Sequence, residues 1–328
     1  MMVKRLLSAG FLLPAIPYLL MGQQLFQYSL YMLNPYAYSP AYVGTSGTFL
    51  AHGAYRQQWA GLDGAPETQY LDAQVPVYFL RGGVGVRLAN AALGAHRTTR
   101  AVLHYAHHIE MGRAALLSVG AGIGYLQYAL DGTRLRTPEG LYEPGGSFTH
   151  NDPSFPEGRV AMGTPLIEAG AFFRYRQWEV SGAVLPVYAP LLQSTTPGAF
   201  RLRLVPQYAL MGTYRAVVSD RLAFIPSFLL KFDAAATQVD ISATLRWREN
   251  TFVGCSFRGL TPSARDAVVV FGGMRITEKI SFAYAYDIPL SSLAPAHRGT
   301  HELLLRYDLG KSIGSGKLPP IIYNPRFW

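Results

Sequence analysis

Cysteine is almost missing from this chain: Cys255 stands alone among 328 residues. An internal disulfide and any cysteine-built zinc cluster are thereby excluded. Charge is scarce too. Lys, Arg, Asp and Glu make up 15% of the residues, against roughly 25% in an ordinary soluble domain. Acids are scarcer than bases, which leaves a net charge of +9. The basic residues are scattered and form no stripe of the kind that tracks nucleic acid, so anionic lipid headgroups or acids inside the fold suit them better. No segment after the first twenty or so residues reads as a spanning helix. The uncharged run Val180–Phe200 is broken by Pro186, Pro190 and Pro197.

What is present is apolar and aromatic: 49% hydrophobic residues, 13% aromatic, with 33 glycines. A disordered chain does not have this composition. The N-terminus reads as an export signal. Lys4 and Arg5 precede the apolar stretch Leu6–Leu20, which Pro14 and Pro17 interrupt, and Met21-Gly22 ends it. Cleavage is expected after Gly22, giving a signal peptide over 1–22. No cysteine lies near the site, so a lipoprotein anchor is not expected.

Side chains alternate across a strand with period two, and alternation dominates the rest of the chain. In 238–248, Val239, Ile241, Ala243, Leu245 and Trp247 share one face, while Gln238, Asp240, Ser242, Thr244, Arg246 and Arg248 share the other. Leu303, Leu305 and Tyr307 alternate with Glu302, Leu304, Arg306 and Asp308; Phe282, Tyr284 and Tyr286 alternate with Ala283, Ala285 and Asp287. The pattern predicts fourteen strands, at 47–59, 67–79, 83–94, 98–110, 113–129, 165–176, 178–187, 201–218, 221–233, 237–248, 251–259, 266–276, 279–287 and 301–309. Tight turns at Arg81-Gly82, Met111-Gly112, Gln177, Ser219-Asp220, Glu249-Asn250 and Thr277-Glu278 alternate with mostly longer links. Short turns at one end and longer loops at the other are the signature of an outer-membrane up-and-down antiparallel β-barrel. The apolar faces then meet lipid and the polar faces line the lumen. A soluble sandwich would have to bury one face of every strand. The barrel domain is expected over 47–310, with odd-numbered strands running outward and the longest external loops at 130–164 and 188–200.

Two segments stand outside the alternation. Residues 23–46, QQLFQYSLYMLNPYAYSPAYVGTS, carry no charge and are rich in Tyr and Pro. They are expected to pack at the periplasmic mouth or inside the lumen, since a buried segment gains by avoiding unpaired ions. The tail 311–328 ends PPIIYNPRFW.

Candidate chemistry is sparse. Gly120, Gly122 and Gly124 lie within strand pattern and lack the following helix that a dinucleotide site requires. They make room for a plug or thin the wall. His104, His107 and His108 cannot share one strand face, so no metal set is expected. Asp287, Glu302, Arg306 and Asp308 on the last strands suggest a salt network in the lumen. Ser and His occur, but no spacing singles out a catalytic set. No enzyme activity and no cofactor are expected.

Particular residues then suggest a family. Phe26-Gln27-Tyr28, Asn34-Pro35 and Ser39-Pro40-Ala41-Tyr42-Val43-Gly44 resemble the opening of the PorP/SprF family, with Ser39 where Asn is usual. Tyr55-Arg56-Gln57-Gln58-Trp59 followed by Gly64-Ala65-Pro66 is similar to that family's second element. Tyr105-Ala106-His107-His108, Tyr284–Asp287, His301-Glu302 and Asn324-Pro325-Arg326-Phe327 extend the likeness over nearly the whole mature chain. The resemblance implies an outer-membrane barrel of the type IX secretion and gliding machinery, with secreted proteins bearing C-terminal sorting domains and periplasmic machinery subunits as partners. It implies no catalytic residue. The structural or partner-binding positions it suggests are Tyr28, Asn34, Pro35, Pro40, Arg56, Gln58, Trp59, Gly64, Pro66, Asp287, His301, Glu302, Pro325 and Arg326. The competing expectation is a channel for small solutes, which needs an open lumen where an anchor does not.

Overall fold

The structure, a computed structural model, describes residues 26–310 apart from 113, 144–147, 154, 194–200, 203, 235, 260–265 and 292–293. The expected signal peptide, residues 23–25 of the leader and the whole tail 311–328, with Pro325 and Arg326, lie outside the described residues.

Fourteen antiparallel strands close into a barrel. They are β1 (Leu50–Gln57), β2 (Glu67–Val77), β3 (Gly82–Leu93), β4 (His96–Met111), β5 (Ala115–Asp131), β6 (Arg159–Tyr175) and β7 (Trp178–Tyr188). Then follow β8 (Tyr208–Tyr214, continued by Ala216–Ser219), β9 (Leu222–Phe232), β10 (Thr237–Trp247), β11 (Thr251–Arg258), β12 (Ala267–Arg275), β13 (Ile280–Pro289) and β14 (Thr300–Asp308). Each strand pairs with its chain neighbours, and β1 pairs with β14 to close the wall, Arg56 lying opposite Glu302. Closure gives the strands of the wall a neighbour on both sides, which a lipid environment demands.

The pleat sorts residues as the sequence alternation indicates. On β10, Asp240, Ser242 and Thr244 are buried, whereas Ile241 and Leu245 are exposed. Around the wall the outward positions form an apolar surface: Leu103, Ile123 (67% exposed), Ile167, Val253 (60%) and Leu305. A soluble monomer does not show such a band; a barrel bathed in lipid does. Trp178 and Trp247 sit exposed at short-turn ends of β7 and β10, where an indole keeps its ring in lipid and its N–H wet.

Three expectations about connections need correction. The link between β3 and β4 is only Gly94-Ala95, as short as the turns at the opposite end. Gly94 adopts φ 56°, which permits this tight reversal. The long loop after β5 is shorter than 130–164, because β5 continues to Asp131 and β6 starts at Arg159. Arg201-Leu202 belong to a small loop hairpin with Leu192-Gln193, not to β8. Pro206, which has no backbone N–H to offer a neighbouring strand, comes just before β8 begins at Tyr208.

Lipid exposure makes one outcome specific. Leu305 faces outward between Gly53 of β1 and Phe282 of β13. A lipid-facing Arg near the bilayer midplane costs about 2–4 kcal/mol. Leu305→Arg is expected to lower the folded yield in lipid bilayers well below that of Leu305→Ala. Equal yields, read by gel mobility of unheated samples, would place this face away from lipid.

A candidate functional site inside the barrel

Residues 26–45 run through the interior before the chain reaches β1. Their apolar and aromatic side chains make the largest buried cluster: Tyr28, Tyr31, Tyr36, Tyr38, Tyr42 and Val43 pack against Tyr70, Ala106, Phe172, Met211 and Leu229 of the wall. Two short 3-10 turns, Pro35–Ala37 and Pro40–Tyr42, fold the segment on itself. Proline at the first position suits both, since that N–H has no partner in a turn. Asn34 and Ser39 precede them, and Ser39 Oγ accepts from Ala41 N at 3.4 Å.

A lumen wall of polar side chains meets this segment's backbone. At one level Arg56 (β1), Arg258 (β11), Asp287 (β13) and Glu302 (β14) converge on Ser29. Arg56 Nη1 donates to Glu302 Oε2 at 2.9 Å and to Ser29 Oγ at 2.6 Å, and Nη2 donates to Asp287 Oδ2 at 2.7 Å. Arg258 donates to the same Asp287 oxygen at 2.7 Å and to Ser29 Oγ at 2.9 Å. Glu302 in turn accepts from the backbone N–H of Ser29 at 2.6 Å and of Leu30 at 3.0 Å. Asp240 adds a longer contact to Arg258 Nε, 3.3 Å, and accepts from Gln27 Nε2 at 3.3 Å. Lys231 donates to Gln27. Three cations thus balance three carboxylates around two backbone N–H groups, which is what permits charges to stay buried.

A second cluster lies on the β3, β4 and β6 wall. Glu168 is wholly buried and accepts from Arg87 and Arg100. Arg87 also donates to the carbonyls of Tyr36 and Ala37, at 3.0 and 2.9 Å. His104 spans the remaining gap: Nε2 is 2.9 Å from Glu168 and Nδ1 is 2.8 Å from the Tyr36 hydroxyl. The carboxylate can only accept, so Nε2 carries the proton and the Tyr36 hydroxyl donates to Nδ1. Burial pushes the hydroxyls of Tyr36 and Tyr38 well up from the ordinary phenol range, so both remain donors. Asn34 donates to Asp72 at 2.6 Å, and Ser118 Oγ donates to Ala41 O at 2.7 Å.

The chain approaches the wall closely at glycines. A Cβ at Gly120 of β5 would lie 2.6 Å from the backbone of Pro40 and Ala41; one at Gly83 of β3 would lie 2.6 Å from Gly44 Cα. Gly120→Val is therefore expected to displace the Pro40–Tyr42 turn while the outer wall, which lies behind it, still closes. Limited proteolysis would then cut within 26–46 in the variant and not in the parent; identical patterns would show that the close approach carries no weight.

The fourteen positions suggested by the resemblance fall into separate groups. Tyr28, Asn34, Pro35, Pro40, Arg56, Asp287 and Glu302 meet in the lumen. Tyr28 packs edge-on against Tyr38 and Tyr70, with centroids 5.9 and 5.2 Å apart. Gln58, Trp59, Gly64 and Pro66 build the loop after β1: Gln58 N donates to Pro66 O at 2.8 Å, Trp59 N to Thr300 Oγ1 at 3.2 Å, and Gly94 N to Gly64 O at 2.8 Å. His301 faces away from its neighbour Glu302 and takes the Tyr284 hydroxyl at 2.7 Å on the outside of the wall. The last-strand salt network also divides. Arg306 pairs with Asp308 at 2.9 Å, apart from Asp287 and Glu302. Ser29, Arg87, Arg258 and Glu168 were not singled out by sequence reasoning. Their one signal is a lone polar side chain on the inward parity of a strand or in the uncharged leader. Among the described residues no group of three or more His, Cys, Asp or Glu is placed to hold a metal ion.

A closed wall with a lipid-facing exterior and a filled, ion-paired interior defines a membrane β-barrel protein of the outer-membrane type. Solved structures with similar folds include the CymD monoaromatic hydrocarbon channel (12% identity, covering 87% of this chain and 92% of that one, TM-score 0.45). They also include a FadL homologue from Pseudomonas aeruginosa (9% identity, 80% and 89% covered, TM-score 0.42) and the KdgM porin (8% identity, 79% and 98% covered, TM-score 0.35). No curated protein matches the chain. The family described as type IX secretion system membrane protein PorP/SprF matches residues 20–307, and the chain belongs to it.

Proposed function

We propose that this protein is a closed outer-membrane platform that anchors or supports the export of large surface proteins and connects them to periplasmic machinery, without enzymatic activity. The observation that carries this reading is the occupied lumen: residues 26–45 fill it and are tied to six strands through Arg56, Arg87, Arg258, Asp240, Asp287 and Glu302. An anchor gains rigidity from such packing, while a solute channel loses its path. The external loops, led by the one between β5 and β6, offer the docking face for a secreted protein. The short-turn end and the segment after β14 face periplasmic subunits. Because the leader is spent inside the barrel, the tail and the short turns are the better periplasmic contacts.

The family supports the secretion setting; the plug supports the anchor over the channel. Isolating the tagged full chain from its native outer membrane, followed by identification of co-purifying chains, tests the reading. It expects at least one large secreted protein with a C-terminal sorting domain and one periplasmic subunit. Recovery of the barrel alone, with steady open conductance in planar bilayers, would favour the solute channel.

A further inference from the structure

The outward face of the wall changes character at the long-loop ends of β4, β5 and β6. On β5 the outward positions Val119, Ile123 and Tyr125 are apolar and exposed, and the next outward residue is Gln127. On β4, Leu103 and Ala101 give way to Thr99 and then Arg97. Register sets Arg97 beside Ala129, and Asp131 beside Arg159 of β6. Arg134 joins them from the 3-10 turn that follows β5. Together they border a cavity of about 230 Å³ whose other walls are small, Gly94, Ala95 and Ala129 among them, with His96 at one side.

This cavity is unbalanced in charge. Three guanidiniums face one carboxylate, and the Oδ1 atom of Asp131 is turned to Thr133, accepting from its N at 3.1 Å and its Oγ1 at 2.6 Å. Among the described residues none of the three arginines forms a salt bridge. On the inward parity of the strands, arginines near the barrel ends are paired, as Arg174 is with Glu179 at 2.7 Å and Arg306 with Asp308 at 2.9 Å. Height matters as well. Ala129, the partner of Arg97, lies four residues beyond Tyr125, or about 13 Å along the strand. That sets the arginines beyond the exposed apolar positions of β5, on the side where an apolar band gives way to headgroups. Guanidiniums match phosphate oxygens in a planar, bidentate way.

We propose that Arg97, Arg134 and Arg159 form a binding site for a phosphorylated lipid headgroup of the leaflet at the long-loop end. Lipid is the favoured source because the site faces outward, directly above lipid-exposed Tyr125 and Ile123, and not into the lumen. The proposal rests on the reading that the long loops face the cell exterior, where the leaflet is a phosphorylated glycolipid.

The test titrates the purified full chain in detergent with bis-phosphorylated lipid A and follows bound lipid by native mass spectrometry. The triple variant Arg97→Gln, Arg134→Gln, Arg159→Gln is expected to weaken binding at least tenfold; Arg134→Gln and Arg159→Gln alone, each at an exposed position, weaken it several-fold. Lipid A stripped of both phosphates should bind the parent no better than the intact lipid binds the triple variant. Arg176→Gln with Arg248→Gln, at the opposite end, should change nothing. Equal binding by parent and triple variant, or by phosphorylated and stripped lipid, overturns the site. Inorganic phosphate that displaces the lipid at comparable concentration identifies a soluble anion instead and overturns the lipid assignment. Orientation is read separately, by labelling whole cells carrying Glu139→Cys in a Cys255→Ser background with a membrane-impermeant thiol reagent. Labelling with no lipid discrimination leaves the orientation standing and removes the site; no labelling of intact cells removes the orientation on which the proposal rests.

Discussion

Deleting residues 26–43 is expected to turn a barrel that barely conducts into an open pore, with single-channel conductance rising on the order of tenfold or more. Side chains alone fill an eight-stranded barrel, whereas barrels of sixteen strands enclose water. Fourteen strands fall nearer the second case. What occupies the space is the leader, with Tyr31, Tyr36, Tyr38, Ala41 and Val43 almost wholly buried. The wall should survive its loss. Every strand keeps both neighbours, and the interstrand ladder does not include residues 26–43. Planar-bilayer recording on parent and deletion proteins checks this. Equal, low conductance from both would show that something other than the leader closes the pore.

Arg56→Leu is expected to be the most damaging single change in the lumen. The guanidinium is buried and touches Asp287, Glu302 and Ser29 at once. Removing it leaves Asp287 with Arg258 and the Ser29 hydroxyl, and leaves Glu302 with the Ser29 and Leu30 amides but its ion pair lost. Breaking a buried ion pair from one side typically costs about 3–5 kcal/mol, far more than the net worth of the intact pair. Adding Glu302→Gln to Arg56→Leu removes one stranded charge while keeping an acceptor for the Ser29 and Leu30 amides, so part of the loss should return. Urea titration of the refolded barrel measures both variants. A midpoint unchanged by Arg56→Leu would mean that these contacts do not hold the leader.

The barrel was legible because its rule is local. Whether Leu245 or Arg246 faces lipid follows from parity, and parity needs only neighbours. The leader's burial had a composition signal, since twenty-four residues without a charge make sense in an enclosed place. The contacts that hold it were not legible. Ser29 meets Glu302 across 273 positions, and Arg56 meets Asp287 across 231. Such meetings depend on register, on closure of β1 against β14 and on the height at which the leader enters. Parity says that Glu168 and Arg87 point inward but not that they share a level. The same rule does separate His301 from Glu302: adjacent residues on one strand cannot serve one site. The short Gly94-Ala95 link was hidden because β4 reaches back to His96, past the polar residues that mark a loop in sequence.

The central claim is that residues 26–46 form a fixed part of the barrel interior. Amide hydrogen exchange on the intact protein in bilayer nanodiscs, read peptide by peptide, tests it most directly. Ser29 and Leu30 donate to Glu302, and Gly44 donates to Gln74 at 2.9 Å, so these amides are expected to stay protected for hours, as the strands do. Exchange throughout 26–46 within seconds, beside slow exchange in β1 and β14, would contradict the account.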